Sequence, residues 1–126
     1  MASGPTETVP TISTHVLDTE LGKPAVGVHV TLYRLSDDGR PLRLTQALTD
    51  GDGRVRDLLE RPLVAGDYRL EFALAPIDPV DMATREPAAE RFFRRVAIDV
   101  HVGDTTRSYH VPLLMAPFSI TTYRGS

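Results

Sequence analysis

Few side chains in this sequence can do covalent or proton-transfer chemistry. The chain has 126 residues and no cysteine. Thiol nucleophiles, thiolate zinc sites, iron–sulfur clusters and disulfides are therefore excluded. Four histidines remain, His15, His29, His101 and His110. Imidazole titrates near neutral pH, so histidine is the first candidate for acid–base work. No pair of them follows a short metal motif such as HExxH, and no metal is expected. His15 sits in a hydroxyl-rich stretch, with Thr11, Ser13 and Thr14 before it and Asp18 after it. His110 sits two residues before Pro112, which argues for an edge strand or a bulge there. Arg54 closes an Asp-Gly turn. Taken singly, each of these reads as a structural or solvated residue, and His29 and His101 are left as such. Asp50-Gly51-Asp52-Gly53 superficially echoes a calcium loop, but the later Glu and the flanking helices are missing. The chain contains no GxGxxG, Walker A or GxSxG motif.

The elements that must position these residues follow a period of two. Residues 11–17 are rich in β-branched types. Val26, Val28, Val30 and Leu32 alternate with Gly27, His29, Thr31 and Tyr33, the pattern of a half-buried strand. Leu42, Leu44 and Leu48 share one parity, and a short strand is expected near 54–58. Tyr68, Leu70, Phe72 and Leu74 alternate, as do Val96, Ile98, Val100 and Val102, and then Tyr109, Val111 and Leu113. The stretch 119–125 gives a last short strand. Turn clusters separate these runs at SDDGRP and TDGDGR. Asp78-Pro79 and Glu86-Pro87 break the pattern, and Pro87 suits the first position of a short helix carrying Ala88, Ala89, Phe92 and Phe93. Seven or eight short strands with one short helix predict an all-β, two-sheet antiparallel sandwich. With Tyr109, Val111 and Leu113 inward, His110, Pro112 and Leu114 face out. Leu114, Met115, Pro117 and Phe118 would then make that outer face apolar, covered by a second subunit or by the chain itself.

Composition narrows the function classes. Hydrophobic residues make up 41% and charged residues 25%, with ten prolines and nine glycines. This is a globular composition with many turns, and the length fits one domain. Fourteen Lys and Arg against 17 Asp and Glu give a net charge of −3, which lacks the basic footprint of a nucleic-acid binder. No apolar run approaches the roughly 20 residues that span a bilayer, so no membrane partner is expected. Residues 1–10 are small and polar and read as a flexible tail, with residues 11–126 as the domain. That tail has no basic residue and no apolar stretch. With no cysteine and no SKL-type C-terminal address, a cytoplasmic location is expected.

Several of these segments resemble a known family. Thr11-Ile-Ser-Thr-His-Val-Leu-Asp18, with Gly22-Lys-Pro-Ala25 after it, is similar to the opening motif of the 5-hydroxyisourate hydrolases, the transthyretin-related enzymes of urate (purine) degradation. Thr49-Asp-Gly-Asp-Gly-Arg54 resembles the turn that carries the family's active-site arginine. Tyr109-His-Val-Pro-Leu-Leu114 and Tyr123-Arg-Gly-Ser126 resemble its C-terminal signature. The resemblance covers essentially everything after residue 10.

It implies a transthyretin-like sandwich with a short helix between the fifth and sixth strands, at Pro87–Phe93. It also implies a homotetramer, a dimer of dimers with active sites in the channel between dimers. The implied reaction is hydrolysis of 5-hydroxyisourate to 2-oxo-4-hydroxy-4-carboxy-5-ureidoimidazoline, with no metal and no organic cofactor. His15, Arg54 and His110 take the catalytic positions, and Tyr123, Arg124, Gly125 and Ser126 the substrate-binding ones. Which histidine is general base and which donates a proton stays open. The alternative is a non-enzymatic transthyretin-like carrier of a small ligand. Ala116, Ile120, Arg94 and the stretch 75–90 depart from the family's usual pattern, and Ile120 is expected to affect the pocket wall.

Overall fold

The structure, a computed structural model, describes residues 9–74, 80–81, 86–87 and 92–125. All but the last two residues of the expected tail at 1–10 lie outside the described residues. Along the chain run β1 (Ile12–Asp18), β2 (Lys23–Pro24), β3 (His29–Leu35), β4 (Pro41–Leu48), β5 (Arg54–Val55) and β6 (Gly66–Ala73). They are followed by β7 (Val80–Asp81), β8 (Glu86–Pro87), β9 (Arg95–Val102), β10 (Tyr109–Ala116) and β11 (Ser119–Thr122).

One sheet has the order β11-β10-β1-β2, with β5 also paired to β1. The second has the order β4-β3-β6-β9, and β7 and β8 form a small separate ladder. The second sheet is wholly antiparallel. The first is mixed, because β1 runs parallel to β10. The chain crosses through the second sheet between these two strands, so no local turn dictates their direction.

Most of the alternating runs bury as their parity predicts, although Val26 is 63% exposed. Tyr68, Leu70, Phe72 and Leu74 are buried, as are Tyr109, Val111 and Leu113. They meet Ile12 and Val16 of β1, Val30 and Leu32 of β3, and Val102 of β9 in one core. Each fully buried side chain of this size contributes about 1.5–3 kcal/mol relative to exposure. Leu58 and Leu59 join this core from the loop after β5. They carry no strand period, which is why alternation misses them. The Leu58 N–H donates to the Ile12 carbonyl at 2.8 Å.

Four expectations need correction. Among the described residues the short helix is absent: Glu86–Pro87 instead pairs antiparallel with Val80–Asp81, and Phe92 and Phe93 are not helical. Residues 88–91, the middle of that helix, lie outside the described residues. Leu42, Leu44 and Leu48 do not share an inward face. A bulge opposite Leu32 and Tyr33 breaks the register, so Leu44 packs on the core while Leu42 and Leu48 stay exposed.

Pro112 is not on an edge strand, since β10 lies between β1 and β11. Its ring is tolerated because its nitrogen faces the end of β11. The β10–β11 ladder ends at Leu113 and Thr122 and resumes in the same register at His110 and Gly125. Finally, Met115 points into the core rather than onto the outer face.

Candidate active site

The first sheet places β5, β1 and β10 side by side. On β1, Ile12, Thr14, Val16 and Asp18 are buried, which turns Ser13, His15 and Leu17 to the outer face. On β10 the same alternation turns His110, Leu114 and Ala116 outward. On β5, Val55 goes in and Arg54 out. Register does the rest. His15 pairs with Arg54 across the β1–β5 ladder, while Ser13 pairs with His110 and His15 with Pro112 across β1–β10. Two histidines and an arginine from three separated stretches of chain thus share one face.

The loop before β5 is built to present Arg54. One Asp50 carboxylate oxygen accepts the Asp52 N–H at 2.8 Å and the Arg54 N–H at 3.0 Å. These bonds, the Arg54 one first, hold the Asp50 carboxyl below its ordinary range. Gly53 has φ of +76°, and a Cβ there would lie 2.4 Å from the Val16 carbonyl oxygen. Only glycine fits that contact. The same loop fixes His15: its Nε2 lies 2.8 Å from the Asp52 backbone carbonyl. A carbonyl only accepts, so Nε2 carries the proton and Nδ1 is the basic nitrogen of neutral His15.

His110 is held differently. Its Nδ1 lies 2.8 Å from the Ser13 hydroxyl. Its pKa is lowered below the ordinary 6.5, first by burial, then by the positive charge of Arg54 and of His15. The ring is also pressed by backbone: a Cβ on Gly125 would sit 2.6 Å from His110 Cδ2. The Gly125 N–H donates to the His110 carbonyl at 2.8 Å.

A cleft of about 160 Å³ between these groups is lined by Ser13, Thr14, Arg54, Arg56 and His110. A wider, more open depression of about 560 Å³ adjoins it across Arg54 and Arg56, with His15, Leu17, Pro24 and Asp52 on its other walls. Arg56 and Asp52 face each other there at 3.7 Å. Among the described residues, no three His, Asp or Glu side chains gather as a metal site requires.

The structure thus brings together His15, Arg54, His110 and Gly125. Tyr123 is largely exposed beside them. Arg124 turns the other way: its guanidinium lies 4.9 Å from the centre of the Tyr109 ring. There, with Tyr123 and His110, it lines a second slot of about 320 Å³ against Ile98 and Val100 of β9. Ser126 lies outside the described residues. Ile120 packs against the core, so it is not part of the outer cleft wall. Ser13, Asp50 and the Asp52 carbonyl are the groups that motif reading left unassigned. Ser13 was findable, since it lies two residues before His15 and so shares its face.

Set against known proteins, residues 12–125 match the model of the HIUase/Transthyretin family, and the chain belongs to that family. A protein of Deinococcus radiodurans named 5-hydroxyisourate hydrolase is 45% identical over 119 residues, covering 93% of this chain and 97% of its own. The structure of a Klebsiella pneumoniae 5-hydroxyisourate hydrolase superposes with a TM-score of 0.73 at 36% identity, covering 93% of this chain and 99% of the other. The crystal structure of transthyretin from Sparus aurata superposes with a TM-score of 0.76 at 24% identity, covering 94% and 97%. That last likeness is one of fold. Among the described residues no helix is long and apolar enough to cross a membrane.

Proposed function

We propose that this chain is a 5-hydroxyisourate hydrolase, opening the substrate's ring with water to give 2-oxo-4-hydroxy-4-carboxy-5-ureidoimidazoline. The observation that carries this reading is the shared outer face of His15, Arg54 and His110 on the β5–β1–β10 edge. The activity for which the relatives are named agrees with it. His110 acts as general base. Its lowered pKa keeps it neutral at working pH, and Nε2 is the nitrogen not held by Ser13. It takes a proton from water as the oxygen attacks the ring carbonyl. Arg54 donates to the carbonyl oxygen as negative charge gathers there. As the C–N bond breaks, the proton that His110 took from water passes to the leaving nitrogen, while His15 orients the water. No metal or organic cofactor enters these steps. Tyr123, Gly125 and Ser126 border the substrate, and Arg124 holds this segment by its contact with Tyr109.

The site belongs to an assembly in this reading, a homotetramer built as a dimer of dimers with the sites in the channel between dimers. Small-molecule pockets usually enclose about 300–1,000 Å³. The cleft at His110 and Arg54 holds only about 160 Å³, and in this reading a second surface completes it. Phe118 is 81% exposed at the β10–β11 turn and supplies apolar area for such a contact. The cytoplasm is the proposed location.

The test is direct. 5-Hydroxyisourate is generated in situ from urate with a uricase, and its ultraviolet decay is followed with this protein, with His110→Ala and with no protein. Fast decay with the intact protein alone is expected. Decay at the spontaneous rate from a folded assembly would overturn the hydrolase reading and favour the carrier.

A further inference from the structure

The two imidazoles of the site are held by groups of different hydrogen-bonding character. His15 Nε2 meets the Asp52 backbone carbonyl, which can only accept. His110 Nδ1 meets the Ser13 hydroxyl, which can donate or accept. A carbonyl fixes one tautomer. A hydroxyl holds the ring in place and permits both, because the O–H rotates to suit the nitrogen it faces. The Ser13 pairing is built by backbone register, since Ser13 and His110 are partners across the parallel β1–β10 ladder. The ring's other side is closed by Gly125. The 125 backbone thus lies close beside the ring that Ser13 holds.

We propose that Ser13 is the positioning residue for His110. Its hydroxyl holds Nδ1 while Nε2 alternates between accepting and donating a proton, and the ring never turns. This rests on the hydrolase reading and deepens it. His110 becomes the histidine that switches, and His15 the one whose tautomer is fixed. When Nδ1–H donates to the Ser13 oxygen, Nε2 is bare and removes a proton from water. The imidazolium so formed returns that proton from Nε2 to the leaving nitrogen; in the other neutral tautomer, with Ser13 donating to Nδ1, Nε2–H is a hydrogen-bond donor toward the substrate. A carboxylate at this position would pin Nδ1–H in one tautomer and favour the imidazolium, so that neutral His110 would form only at higher pH. The cleft around the ring fits this division. Its charged side chains are Arg54 and Arg56, the second hollow that the ring lines adds Arg124, His101, Tyr109 and Tyr123, neither has a carboxylate among its lining residues, and the nearby His15 also acts on the ring.

The experiment uses the full chain carrying ¹⁵N-histidine. Imidazole nitrogen spectra are recorded without substrate for the parent and for Ser13→Ala, Ser13→Thr and Ser13→Asp, and steady-state kinetics against 5-hydroxyisourate follow across pH. The parent is expected to show a mixed tautomer at His110 and a single Nε2–H tautomer at His15. Ser13→Ala should lose kcat on the order of tenfold, part of the 10²–10⁴ that a placed proton-transfer group supplies, with KM little changed. Ser13→Thr, which restores the hydroxyl, should recover most of that loss. Ser13→Asp should show only Nδ1–H at His110 and move the acid limb of the kcat/KM profile to higher pH.

An unchanged His110 spectrum and unchanged kcat in Ser13→Ala overturn the proposal, as does an unmoved acid limb in Ser13→Asp if Ser13→Ala does not fold. Absence of turnover by the parent would sink the hydrolase reading instead. The spectra judge Ser13 in either case.

Discussion

At His110 burial, Arg54 and His15 all press the imidazole toward its neutral form. Unfolded, the ring titrates at its ordinary 6.5; folded, it titrates lower. Between those values the unfolded chain binds a proton that the folded chain refuses. Stability therefore falls as the pH drops through that window, and the group has no effect above it. The same shift places the acid limb of kcat/KM below 6.5 for a site in which neutral His110 is the base. Arg54→Gln removes one cause of the shift, so the His110 titration followed by NMR should move up toward the ordinary value. Turnover should fall by about 10²–10³, the usual cost of losing a group that holds developing negative charge. A His110 pKa that stays put in Arg54→Gln would assign the whole shift to burial and His15.

Among the elements, the loop 50–53 governs the site most directly. It carries Arg54 on the Asp50 carboxylate and fixes His15 through the Asp52 carbonyl. Gly53 locks it against β1, where the Val16 N–H donates to the Gly53 carbonyl at 2.7 Å. Gly53→Ala puts a side chain into left-handed backbone and against the Val16 oxygen. The expected loss is about 1–3 kcal/mol for the backbone alone, read by denaturant unfolding, and turnover should fall with it. An alanine variant of parental stability would show that the loop relaxes without loss.

This loop marks the limit of what sequence alone discloses. The turn was legible from Asp-Gly, and the inward sets of β6, β9 and β10 from strict alternation. The outward parity of His110 was legible too, and that of His15 followed once β1 buried Ile12 and Thr14. That the two rings lie one strand apart was not, because pairing between distant strands leaves no periodic trace. The β4 bulge and the buried Leu58 and Leu59 escaped for a related reason: each depends on a neighbour chosen by the tertiary fold. The seat of Pro112 inside a sheet depended on where β11 stops.

For the whole molecule, the outer face of the first sheet sets the expectations. A cleft of only about 160 Å³ in one chain predicts that activity depends on association. Turnover per chain should fall on dilution to concentrations where sedimentation or light scattering reports dissociation. Activity that stays constant down to the monomer would place a complete site in one chain. A tag after Ser126 should harm activity more than one before Met1, because the 123–125 segment packs on His110. Equal activity of the two would remove that end from the site.

The parallel pairing of β1 with β10 also governs when activity can exist. Ser13 and His110 touch across 97 residues of sequence. A ribosome adds about 5–20 residues per second, so β1 waits on the order of 5–20 s for its neighbour to be made. During that wait β2 and β5 can line one flank of β1, but its other flank stays open. The second sheet can complete its hairpins meanwhile. The catalytic face is therefore the last part of the chain to acquire its shape, and a nascent chain stalled before His110 would hold His15 and Arg54 with nothing to work against.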